Sequence, residues 1–468
     1  MRSLTIFLLI LVQRARGQIP PDVSYGTDGD HAGAAFATTN DGGWILAGSS
    51  GSLTDGTEMQ LIKIDALGAV QWGYSHGSQF NDAAAAVRQT ADGGFIACGH
   101  MVAADSMPCL ALLRLDAHGA ALWNRTYPHP GGASKGYDVV EADDGGFLAV
   151  GYAERRDTMD ARVLKVHPDG SLQWEKRIDF NGYERGAKVL VLPDDGYTIL
   201  VSDSWPSSSA ESLHLVRLNA EGTTIWVATY DIGQAGEGNS LIRTSDGGYL
   251  ITGGIGPIHR DVLMIRTDPE AQETWRRRHG TPYLDEVAFA AIELSNGDLL
   301  VSGSKQVSGD PGTHGSLARF DAQGFLLHER RFPQGQFSEM RAISLVDDTC
   351  WSAFGSSASM GGGTSWSVMR LLNICPSELL VEDARSPQSP PIGIHPNPAS
   401  HAMRIHSPRA AFRRVQLWDS AGRIVLDAGF PETNLIELPL TGLAEGAYSV
   451  GIHASGGGIR MARLVIAH

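Results

Sequence analysis

The chain has 468 residues, 42% of them hydrophobic and 19% charged, with 56 glycines. That turn-rich globular composition favours many short strands over long helices. Against 37 basic residues stand 52 acidic ones, a net charge of −15, and such a surface repels phosphate backbones and anionic lipid heads, so nucleic acid is excluded as an expected partner.

Residues 1–17 read as a signal peptide. Arg2 supplies a positive start, Leu4 to Val12 an apolar stretch, and Ala15-Arg16-Gly17 a small-x-small cleavage site before Gln18. The alternative is an uncleaved N-terminal segment. The apolar stretch is too short to span a bilayer, no other stretch reaches that length, and no Cys follows the leader to accept a lipid. No transmembrane anchor is expected.

From there to residue 376 one pattern repeats. Asp-Gly-Gly-aromatic turns occur at Asp41-Gly42-Gly43-Trp44, Asp92-Gly93-Gly94-Phe95, Asp144-Gly145-Gly146-Phe147 and Asp246-Gly247-Gly248-Tyr249. Degenerate copies at Asp194-Asp195-Gly196-Tyr197, Asn296-Gly297-Asp298-Leu299 and Asp348-Thr349-Cys350-Trp351 complete a series spaced by 50 to 52 residues. Around each turn lie four apolar runs, the grammar of a four-stranded antiparallel meander. A second turn joins the third and fourth runs, as in Asp65-Ala66-Leu67-Gly68 and Asp116-Ala117-His118-Gly119. Its Asp starts the turn and its Gly accepts positive φ; a calcium site is the alternative, although the spacing fits no continuous calcium loop.

Just beyond that turn stands a tryptophan, at Trp72, Trp123, Trp174, Trp226 and Trp275. A flat side chain at one fixed place per unit suits the wedge between neighbouring sheets. A lone four-stranded sheet cannot bury both faces, so the expectation for residues 18–376 is a seven-bladed β-propeller. The last unit stops after its third strand, and Asp22-Val23-Ser24-Tyr25 is expected to complete it as a latch that removes exposed edges. The repeat resembles the Asp-Gly-Gly propeller repeats of secreted bacterial and archaeal proteins, a resemblance that implies a fold and leaves activity open.

Residues 377–394 form a linker with Pro387, Pro390 and Pro391. The segment 395–468 then reads as short alternating strands separated by Gly and Pro turns, enough for a small immunoglobulin-like β-sandwich. Its Pro396-Asn397-Pro398-Ala399 opening, the Asp419-x-x-Gly422-Arg423 centre, the Leu443-x-x-Gly446-x-Tyr448 hairpin and the apolar Arg463-Leu464-Val465-Ile466 end keep a fixed order. Together they closely resemble the type A C-terminal sorting domain of the type IX secretion system of Bacteroidetes. The resemblance implies the secretion machinery as a partner and an extracellular or outer-membrane-surface destination. An ordinary immunoglobulin-like binding module is the alternative.

Candidate chemistry is sparse. An acidic residue precedes the turn by 9 to 11 positions in six units, at Asp30, Asp82, Glu184, Glu237, Asp285 and Glu339. These could form a carboxylate ring around one mouth of a central channel and hold a cation or polar ligand, or could cap backbone N–H groups in the loop leading into the strand. The sixteen histidines form no metal-spaced cluster, and no nucleophile elbow or phosphate loop occurs. No catalytic residue, metal site or cofactor is therefore expected. Cys98, Cys109, Cys350 and Cys375 could form hairpin disulfides, Cys98–Cys109 and Cys350–Cys375, or remain reduced. The expected function is noncatalytic binding or adhesion to an extracellular glycan or protein ligand; a secreted polysaccharide-active or quinone-dependent propeller enzyme is the alternative.

Overall fold

The computed structural model describes residues 22–25, 30–51, 56–102, 107–155, 158–203, 212–281, 283–307, 310–332, 338–347, 350–361, 364–374, 393–395, 402–406, 412–418, 424–433, 435–454 and 459–466. Every regular element among them is a β-strand. After β1 (Asp22–Tyr25) the chain builds six sheets, each from four consecutive strands. The first holds β2 (Asp30–Thr38), β3 (Trp44–Gly51), β4 (Thr57–Ile64) and β5 (Val70–His76); the second β6 (Ala83–Gln89), β7 (Phe95–Val102), β8 (Pro108–Leu115) and β9 (Ala121–Tyr127). The third holds β10 (Ser134–Glu141), β11 (Phe147–Arg155), β12 (Thr158–Val166) and β13 (Leu172–Ile178); the fourth β14 (Glu184–Val191), β15 (Tyr197–Asp203), β16 (Ser212–Leu218) and β17 (Thr224–Asp231).

The fifth holds β18 (Gly236–Arg243), β19 (Tyr249–Ile255), β20 (Asp261–Thr267) and β21 (Glu273–His279); the sixth β22 (Glu286–Glu293), β23 (Leu299–Val307), β24 (Asp310–Phe320) and β25 (Leu326–Phe332). A further sheet joins β26 (Glu339–Asp347), β27 (Cys350–Gly361) and β28 (Thr364–Ile374) to the N-terminal strand, in the order β1-β28-β27-β26. Val23 lies opposite Leu371 and Tyr25 opposite Met369. The expected completion of the last unit by the N-terminal segment is thus what the strand pairing shows.

The turn chemistry explains the repeat. In the Asp-Gly-Gly turns the first glycine has positive φ, 82° at Gly42 and 86° at Gly93, and Asp195 takes that place at 62° in the fourth unit. The second glycine is needed for proximity: a Cβ on Gly43 would lie 2.1 Å from the Ile64 carbonyl oxygen, and one on Gly248 2.1 Å from that of Thr267. The Asp carboxylate accepts from the second glycine's own N–H, at 3.0 Å in both Gly43 and Gly94. It also meets a buried cation near the end of the third strand, a partner that the sequence pattern does not announce. These pairs are Lys63–Asp41 (2.7 Å), Arg114–Asp92 (2.6 Å), Lys165–Asp144 (2.6 Å) and Arg266–Asp246 (2.9 Å). In the sixth unit the acid has moved two places, and Asp298 meets Arg319 at 2.6 Å.

The chain forms two compact units: Met1–Tyr197 with Asn219–Thr223 and Phe354–Asn373, and Thr198–Leu218 with Thr224–Ala353 and Ile374–His468. In the first, Ile45, Leu61, Val87, Phe95 and Leu113 share a core between the first and second sheets, and Ile96, Leu112, Val139, Phe147 and Leu164 one between the second and third. The repeated tryptophans are built into these layers. Trp72 packs edge-on against Phe95 at 5.4 Å, and Trp123 tilts against Phe147 at 6.0 Å. The glycine of the next sheet's second turn also sits against this ring: a Cβ on Gly119 would meet Trp72 at 2.6 Å, and one on Gly170 would meet Trp123 at 3.0 Å. Each such glycine serves both positive φ and close approach.

A tyrosine hydroxyl adds a second tie. Tyr25 donates to the Gly68 carbonyl at 2.8 Å and Tyr127 to that of Gly170 at 2.7 Å; in the second unit Tyr230 does the same to Ala271 at 2.8 Å. There, Met264, Leu250, Val301 and Phe320 form the layer between the fifth and sixth sheets.

The C-terminal segment holds β29 (Gly393–His395), β30 (Ala402–His406), β31 (Phe412–Trp418), β32 (Ile424–Thr433), β33 (Leu435–Pro439), β34 (Gly446–Ala454) and β35 (Ile459–Ile466). One sheet has the order β29-β30-β33 and the other β32-β31-β34-β35. Their inward residues, including Met403, Ile405, Val415, Leu417, Ile436, Val450 and Leu464, make one buried core, as two facing sheets require.

Strand register corrects one expectation. Cys98 lies opposite Leu112 and Cys109 opposite Met101, an odd offset that sends the two side chains to opposite faces of the sheet. Both side chains are buried and are not bridged to each other, which is the reduced alternative of the Cys98–Cys109 expectation. The Cys350–Cys375 pairing lies outside the described side chains.

Candidate functional site

Three carboxylates stand ten residues before the turn and share one task in the loop leading into the first strand of their sheet. Asp82 is fully buried and accepts from the backbone N–H of Val102 at 2.6 Å and from that of Ser78. Glu184, also fully buried, accepts from Phe180 at 3.0 Å and Gly182 at 2.6 Å. Glu286 accepts from Thr281 N–H with both oxygens, at 3.0 and 2.8 Å, and pairs with Lys305 at 3.1 Å. Such loops carry backbone donors that no strand partner satisfies, and the carboxylate supplies the acceptor.

The remaining acids of the expected ring occupy other places. Glu237 pairs with Arg260 at 3.1 Å, Asp285 accepts from the Arg260 N–H at 2.9 Å, and Glu339 accepts from Arg341 at 2.7 Å. Asp30 opens β2 opposite Gly51, and its side chain lies outside the description. In the sixth sheet it is Glu286, the neighbour of Asp285, that matches Asp82 and Glu184. A strict spacing of ten, rather than a window of 9 to 11, is the signal that separates the groups.

Asp160, Asp179 and Glu184 bring ligand atoms within 4.8 Å of one another. The Arg177 guanidinium already reaches this cluster, 3.1 Å from Asp160 and 3.3 Å from Asp179. Burial raises the Asp160 carboxyl above the usual carboxylate range, with Arg177 opposing.

A cavity of about 570 Å³ opens where the loops of the first three sheets meet, lined by Gln79, Phe80, Asn81, His100, Pro108 and Lys135 among others. His100 comes from β7 and Lys135 from β10, while residues 79–81 lead into β6. The loop is held by Asp82 N–H donating to the Thr57 carbonyl at 2.7 Å and by Thr57 N–H donating to Asn81 Oδ1 at 3.2 Å. Burial, with the nearby Lys135 charge, pushes His100 down to about 4, so its imidazole is neutral near pH 7. Among the described residues Lys135 has no ion-pair partner. The cavity thus presents one ammonium, a neutral imidazole, amide groups and a half-buried ring. These groups are hydrogen-bond donors and acceptors of the kind that line sites for polar ligands.

In the C-terminal domain Tyr448 is buried, and its hydroxyl donates to the Ala444 carbonyl at 2.7 Å. This closes the Leu443-x-x-Gly446-x-Tyr448 segment on itself, in the manner of a tyrosine corner. Gly446 has φ 152°, a conformation that side-chain-bearing residues rarely adopt. Pro396, Asn397, Pro398, Asp419 and Gly422 lie outside the described residues.

Residues 393–467 match the family described as Secretion system C-terminal sorting domain. That domain marks proteins secreted through the type IX system to the cell surface or extracellular space, and it gives this chain the same destination. Among the described residues no helix is long and apolar enough to cross a membrane. No curated protein matches the sequence. Of solved structures, a protein of unknown function from Dyadobacter fermentans is 14% identical with a TM-score of 0.43, over 76% of this chain and 99% of its own. Puromycin hydrolase is 16% identical with a TM-score of 0.47, over 84% of this chain and 62% of its own. The extracellular domain of a putative hybrid two component system from B. thetaiotaomicron is 11% identical with a TM-score of 0.44, over 95% and 57%. At these scores the likenesses add nothing to what the strand order shows.

Proposed function

We propose that the protein is an exported, noncatalytic binding protein of a Bacteroidetes cell. Its six consecutive sheets and the sheet completed by β1 are read as the seven blades of a propeller, and its C-terminal sandwich as the immunoglobulin-like address for type IX secretion. Residues 1–17 serve as the leader to the periplasm. The observation that carries this reading is the sorting-domain match over residues 393–467. Its support inside the repeats is the division of labour among acids: the turn and loop carboxylates are engaged in caps and ion pairs, which leaves the loop cavity with His100 and Lys135 as one place for an extracellular glycan or protein ligand.

Incubation of the exported protein with soluble glycans and peptides tests it. Depletion of ligand without product supports the reading. Turnover of any of them overturns the noncatalytic assignment.

A further inference from the structure

Residues thirteen before the turn occupy the same left-handed position in three units: Asn181 at φ 69°, Gly233 at 67° and Tyr283 at 69°. Glycine and asparagine are the residues that tolerate this conformation, and a bulky aromatic there is an outlier. Burial does not compensate Tyr283. It is 82% exposed, and Ile258 beside it in chemistry is 79% exposed; the next large apolar side chain among the described residues is at 57%. Such local strain with no packing return is found where a residue is held out for a ligand.

The mount is firm. Thr281 N–H is held by the Glu286 carboxylate, Leu284 N–H donates to the Thr281 carbonyl at 3.1 Å, and Glu286 N–H donates to the Arg260 carbonyl at 2.6 Å. Arg260 N–H in turn donates to Asp285 at 2.9 Å. The two loops are thereby zipped together, and His259 meets Tyr283 at 6.3 Å with the rings 83° apart.

We propose that Tyr283, with Ile258 and His259, is the stacking platform of a site for a neutral saccharide. A ring this open has a flat face and no enclosing wall, which suits the C–H face of a pyranose and not an extended peptide, whose main chain needs a sheet edge or groove. The Arg260 guanidinium, held 3.1 Å from Glu237 of β18, and the Asp285 carboxylate place fixed polar groups on the two loops for sugar hydroxyls. A net charge of −15 disfavours anionic saccharides. The inference rests on the binding reading above and adds to it a second site, with the ligand class that this site takes.

The test uses the mature protein and two variants on an array of plant, fungal and bacterial glycans, with thermal melts alongside. Tyr283→Asn puts into this position the residue already present at 181, so it melts no lower than wild type while binding falls about tenfold, the loss of one ring contact. Tyr283→Trp keeps a ring and keeps binding. A wild-type protein that binds no glycan overturns the inference, as does a Tyr283→Asn variant that binds as wild type does. Loss of a protein partner in that variant, with a blank array, also overturns the saccharide assignment. Fractionation reads export separately: a protein found outside the cell but blank on the array sinks this inference and leaves export standing.

Discussion

Replacing Asp144 by Ala isolates the pairing that recurs at the Asp-Gly-Gly turns. The Lys165 ammonium donates to both oxygens of Asp144, at 2.6 and 2.8 Å, while the lysine side chain is 2% exposed and the carboxylate 52%. Removing the acid strands a buried cation. Breaking a fully buried pair costs about 3–5 kcal/mol; water reaches the open side of this one, so the expected loss is about 2 kcal/mol. Lys165→Met removes the buried charge and leaves a solvated carboxylate, at an expected cost of about 1 kcal/mol or less. The double variant should resemble Lys165→Met alone, since the stranded charge is gone. Urea unfolding at pH 7, followed by tryptophan fluorescence, gives the three differences. If Asp144→Ala is no worse than Lys165→Met, solvent already screens the pair, and the turn acid is only a cap for Gly146.

The same pairs set an acid limit. Burial opposes ionisation of Asp41, but hydrogen bonds from Lys63 and Thr39 outweigh it and hold the carboxyl down at about 2; Asp92, held first by Thr90 and then by Gly94 and Arg114, also sits at about 2. Because these folded values lie below the unfolded value of about 3.9, their contribution is complete above that value and is lost as pH falls from about 4 toward 2; urea midpoints across that range check it. Tyr25→Phe removes the hydroxyl that meets Gly68 and should lower stability by about 1 kcal/mol, measured in the same way. Cys98 and Cys109 should resist alkylation in the native state and label only after unfolding, because both are buried and burial raises the Cys98 thiol far above its ordinary range; peptide mass spectrometry reads each site.

The four-stranded repeat was legible because turn chemistry is local. Asp-Gly-Gly, the second Asp-x-x-Gly turn and the tryptophan sit at fixed offsets, and each meets a constraint visible along the chain. The place of β1 was legible from the missing fourth strand of the last unit. What escaped was nonlocal. Lys63, Arg114, Lys165 and Arg266 look like strand residues until register brings each to its turn acid. Cys98 and Cys109 look adjacent until the offset of three sends them to opposite faces. The acids before the turn looked equivalent because a window hid a one-residue difference, Asp285 against Glu286. The cavity at His100 and Lys135 draws on three units, so no single repeat contains its pattern. Tyr283 reads as an ordinary loop aromatic until its φ is known.

Residues 393–467 address this protein for export, and fractionation of the native bacterium with intact-mass analysis is the decisive experiment. The expected result is surface or extracellular protein that begins at Gln18 and lacks the segment after about residue 390. A periplasmic protein that retains its C-terminus would contradict it.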